Sequence, residues 1–84
     1  MNIENPQNEL ERFGKMLRER RLELGMTVET LAEKANRSDR EVRDIELGKA
    51  EPKLRTALLL CEACHVDVGD LQTFVPQDEP AYVS

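Results

Sequence analysis

Apolar residues recur through the middle of this chain at spacings of three and four, a period that predicts a run of short amphipathic helices. From about Asn8 to Leu24 the positions Leu10, Phe13, Met16, Leu17 and Leu24 suit one helical face. Glu9 and Glu11 stand near the start of that helix and Arg20 and Arg21 near its end, each opposite in sign to the local backbone dipole, and Gly25 closes it. Thr27 is an N-cap candidate for a second helix with Val28, Leu31, Ala32 and Ala35 on its inner face. Asn36 tolerates the left-handed conformation of a sharp helix stop. Ser38 with Glu41 three residues on spells a capping box for a third helix, which turns Val42 and Ile45 inward and ends at Gly48. The stretch Thr27 to Gly48 is thus two short helices joined by a tight turn.

After the loop KAEP the pattern predicts a fourth helix from about Lys53 to Cys64, with the stripe Leu54, Ala57, Leu58, Cys61 and Cys64 closing the core and Leu59 and Leu60 widening its apolar face. Asp67 then caps a short fifth helix running through Leu71 and Phe74, which Pro76 ends. Residues 1–7, with Pro6 and several Asn, and the acidic residues 76–84 read as disordered tails on a domain spanning 8–75. The expected fold class is all-α, a compact five-helix domain.

From about Phe13 to Phe74 the chain resembles the XRE/Cro-type helix-turn-helix domains of phage repressors and small bacterial regulators. The matching elements are FGKMLRERRLELGMT from Phe13, LAEKA from Leu31 with Ala32 at the close contact between helices, V-x-x-I-E-x-G-K from Val42 to Lys49, and Pro52 before the next helix. The resemblance implies that the second helix of the pair enters the DNA major groove. It also implies a structural ion pair between Arg21 and Glu46. Exposed positions on the second helix would be Ser38, Asp39, Arg40, Glu41, Arg43 and Asp44, of which Asp39, Arg40 and Asp44 match those that reach base edges.

The chain departs from the family where DNA contact is made. Two of its three base-reaching positions are aspartates, and an ionised Asp only accepts hydrogen bonds. Where family members often carry a phosphate-clamping Gln, this chain has Val28. In the loop after Gly48 only Lys49 remains basic beside Ala50 and Glu51.

Charge deepens that departure. The 84 residues are 39% hydrophobic and 35% charged with a net charge of −5, consistent with one small folded domain. All 12 basic residues lie between Arg12 and Arg55, whereas Ala57 to Ser84 holds Glu62, Asp67, Asp70, Asp78 and Glu79 and no base. DNA readers draw most non-specific affinity from a basic stripe, and none is evident here. No apolar run approaches the roughly 18 residues of a membrane span, and MNIENPQNELER lacks a basic start and an apolar stretch, so a cytoplasmic location is expected.

Cys61, Cys64 and His65 spell C-x-x-C-H, a spacing used for haem attachment and thiol redox sites. Both cysteines fall on the apolar stripe of the fourth helix, where a free thiol packs as a small hydrophobe, and three ligands fall one short of a structural zinc site. No nucleophile, base and orienting acid share a recognisable spacing. Neither catalysis, metal, cofactor nor small-molecule ligand is expected.

The residues therefore favour protein recognition: a regulator that binds a transcriptional activator through its mixed-charge third helix, with Val28 and Leu59 as secondary contacts, resembling small acidic XRE-fold antiactivators of integrative and conjugative elements. The alternative is a repressor that dimerises through its last helices and reads a palindromic operator with Ser38, Arg40 and Arg43. The expected state is a monomer or weak homodimer.

Overall fold

The computed structural model describes residues 8–67, and its four helices are α1 (Glu9–Glu23), α2 (Val28–Ala35), α3 (Asp39–Glu46) and α4 (Leu54–Ala63). Of the expected fifth helix only its cap, Asp67, falls within the described residues; the stretch through Leu71 and Phe74 and both expected tails lie outside them. Among the described residues the helices number four.

Local chemistry accounts for where the helices begin and end. Asn8 Oδ1 accepts from Glu11 N at 2.9 Å, Thr27 Oγ1 from Thr30 N at 3.0 Å and Ser38 Oγ from Glu41 N at 3.1 Å. Each bond satisfies a backbone donor that the first helical turn leaves without a partner. Gly25 (φ 72°) follows α1, Asn36 (φ 57°) α2, Gly48 (φ 74°) α3 and His65 (φ 60°) α4. Each turns the chain sharply and closes its helix through the left-handed region. α4 lacks a side-chain cap because its N-cap is Lys53, whose ammonium has no acceptor to offer.

One core joins the helices: Phe13 and Leu17 of α1, Leu31, Ala32 and Ala35 of α2, Val42 and Ile45 of α3, and Leu60, Cys61 and Cys64 from α4 and its cap. α1 packs on α3, and α2 on both α3 and α4. Gly14 is buried where α1 crosses α3, because a Cβ there would run into the backbone carbonyls of Ile45 and Glu46.

Three expected core positions are corrected. Leu54 is 72% and Leu58 37% exposed, and the buried face of α4 carries Thr56, Leu60 and Cys61 instead. The buried arc is rotated relative to the stripe read from Leu54, a choice that three consecutive leucines at 58–60 leave undecided. Leu24, also read as inward, caps α1 and is 41% exposed. Among the described residues no helix is long and apolar enough to cross a membrane.

Candidate functional site

The candidate site is the outward side of α3 and what adjoins it. Val42, Ile45 and Glu46 point α3 into the body, which leaves the remaining side chains for solvent. Ser38 is exposed at the N-cap, Asp39 and Glu41 are half-buried in the first turn, Arg40 and Arg43 are exposed, and Asp44 is half-buried. Lys49 is exposed beyond the helix, its backbone N–H closing α3 on Asp44 O at 2.8 Å. Ser38, Asp39, Arg40, Glu41, Arg43 and Asp44 thus run along α3 from its N-cap to its last turn, and Lys49 follows beyond its C-terminal end.

Val28 and Leu59 stand apart from this group. Both are half-buried and packed against the core. The exposed leucines of α4 are Leu54 and Leu58.

What holds α3 in place is a two-pronged ion pair beneath it. Arg21 Nε donates to Glu46 Oε2 at 2.7 Å and its second terminal nitrogen to Oε1 at 3.0 Å, while the other terminal nitrogen donates to Met26 O at 2.9 Å. With Arg21 8% and Glu46 4% exposed, the pair ties α1, the α1–α2 loop and α3 together. The hydrogen bonds it donates to Glu46 raise the arginine pKa above its already high ordinary value, outweighing burial. A fork matched to a carboxylate fixes orientation as well as charge.

On the surface the charges cancel at short range. Arg43 donates to Glu29 Oε2 of α2 at 2.8 Å, and Arg40 Nε lies 3.9 Å from Asp44 Oδ2. Glu29 is held below the usual carboxylate range, first by its own backbone N–H at the start of α2 and then, against some desolvation, by Arg43. On α1, Arg12 faces Glu9, Lys15 Glu19 and Arg20 Glu23, so much of its positive charge is compensated within one turn. The Glu29–Arg43 bridge was not legible in the sequence, because the two residues are 14 apart and only the packing of α2 on α3 brings them together.

Cys61 and Cys64 are reduced thiols, buried at 1% and 0% exposure. Burial pushes the Cys64 thiol up to about 11, away from the reactive thiolate. No group of three or more His, Cys, Asp or Glu that could hold a metal ion occurs among the described residues.

An XRE-type helix-turn-helix family model matches residues 17–71, which takes in the second half of α1, the whole α2–turn–α3 unit and α4. Nothing among curated proteins matches the sequence.

Proposed function

The chain belongs to the XRE-type helix-turn-helix family, and from that premise we propose that it is a transcriptional regulator that lays α3 into the major groove of an operator. The observation that carries this reading is the outward face of α3, where the Arg40 side chain is 92% exposed and 3.9 Å from Asp44, its ion-pair partner. An arginine so placed reaches guanine O6 and N7 as a two-pronged donor. Asp39 and Asp44, as acceptors, match the N4 amino group of cytosine. The half-site is therefore expected to be rich in G·C pairs. Acids beside the contact surface repel phosphate, so binding to random DNA is weak and the contrast with the operator large.

The same charge balance favours a second reading. With Arg43 bonded to Glu29 and Arg40 close to Asp44, the face offers little net positive charge to a phosphate backbone. A mixed-charge face of this kind suits a protein partner, and the partner would be a transcriptional activator that this chain restrains.

Selection from a random duplex library at about 50 mM salt, followed by anisotropy of the enriched duplex, separates the two. An enriched G·C-containing half-site, on which Arg40→Ala costs about 1–3 kcal/mol and relaxes one base position, is the result expected of the operator reader. If nothing is enriched, and random duplex is not bound at about 100 μM where DNA readers already bind, the operator reading fails. The protein-partner reading is then tested by asking whether Asp39→Gln with Asp44→Asn abolishes capture of an activator.

A further inference from the structure

We propose that Glu29 is a charge latch on the recognition face: it holds Arg43 against the start of α2 and so withholds one cation from the nucleic-acid backbone. The inference rests on the operator reading and deepens it. Arg43 is the basic residue of the last turn of α3, and its guanidinium reaches across to a different helix rather than along its own. The bond to Glu29 Oε2 is short, at 2.8 Å, yet the two side chains are 53% and 58% exposed. An exposed pair of this kind is weak in water and opens readily, so a phosphate can compete for Arg43.

That competition is biased against the phosphate. Glu29 sits in the first turn of α2, where the helix dipole favours an anion and the residue's own backbone N–H steadies the carboxylate. A phosphate approaching this corner therefore meets a carboxylate already in place, and must separate it from Arg43 before gaining the arginine. Val28 beside it has no side-chain donor to offer in exchange. The cost falls on every DNA sequence alike, so only a duplex that also satisfies the bases at Arg40, Asp39 and Asp44 recovers it. Glu29 thus lowers the affinity for every duplex, so that only one whose bases are also read is held, and it does so without touching a base.

The test is the salt dependence of duplex binding by wild type, Glu29→Gln, Glu29→Gln with Arg43→Gln, and Glu19→Gln as a charge control. Glu19 pairs with Lys15 along α1 and changes the net charge equally. One released cation steepens the slope of log affinity against log salt by about 0.9, which makes the affinity loss between 50 and 200 mM salt about threefold larger. Glu29→Gln is expected to show that steeper slope and tighter random-duplex binding, both lost when Arg43 is also removed, while Glu19→Gln follows wild type. The latch is overturned if wild type binds duplex but Glu29→Gln has the same slope, or if the gain survives removal of Arg43. If neither wild type nor Glu29→Gln binds any duplex at about 50 mM salt, the operator reading falls and the latch with it.

Discussion

His65 holds a side chain at φ 60°, a conformation that costs an ordinary residue about 1–2 kcal/mol and a glycine little. His65→Gly is expected to raise the unfolding free energy by about 1 kcal/mol, read as a higher urea midpoint. Cys64 supplies a second expectation at this scale. Its thiol is raised from an ordinary 9.0 to about 11, so the folded state binds that proton more tightly than the unfolded state does. The contribution is whole below pH 9 and is lost as pH rises toward and through 11. The urea midpoint should fall across that window, and Cys64→Ala should flatten this part of the profile. Residues that act through local bonding were the most legible in the sequence: Thr27 and Ser38 cap helices, and Gly25, Asn36 and Gly48 end them. The bridge from Glu29 to Arg43 was opaque because its partners meet only through packing between helices.

At the scale of the element, the existence of the four described helices followed from a 3.6-residue period, but the rotation of α4 did not. Apolar side chains at Leu54, Ala57, Leu58, Leu59, Leu60, Cys61 and Cys64 outnumber the places that α2 and the core provide. Which of them turn inward is decided by the partner surface, and Leu60 and the cysteines are seated while Leu54 stands in solvent. Leu60→Ala is therefore expected to cost about 2–5 kcal/mol, and Leu54→Ala to stay within about 0.5 kcal/mol, as chemical denaturation would read. Equal losses at the two positions would mean that α4 is rotated differently in solution. In α3 the division is cleaner: Val42, Ile45 and Glu46 are buried, and of the polar positions named from the family pattern Ser38, Arg40 and Arg43 are exposed and Asp39, Glu41 and Asp44 half-buried.

For the molecule as a whole, stability is a small quantity, roughly 0.05–0.15 kcal/mol per residue, and the Arg21–Glu46 pair is large against it. Removing Arg21 leaves Glu46 charged, buried and without its fork, a loss of about 3–5 kcal/mol. Arg21→Ala is expected to be largely unfolded at 37 °C by circular dichroism, whereas Arg21→Met with Glu46→Leu, which removes both charges, should keep the helical signal. If Arg21→Ala melts within a few degrees of wild type, the pair is not what holds α1 to α3. The family was legible because its marks lie in the framework, including this pair. The choice between an operator and a protein partner was less so, because it depends on net charge distributed over a folded surface.

Gly14 carries one more implication. Because α1 meets α3 there through backbone, with no side chain between them, the height of α3 above the core is set by atoms that have no rotamers to change. The residues that face outward can then be rewritten by descent or by design without altering the seat on which they stand. Recognition in this molecule is a replaceable inscription on a fixed mount, and relatives that share the mount are free to address different partners.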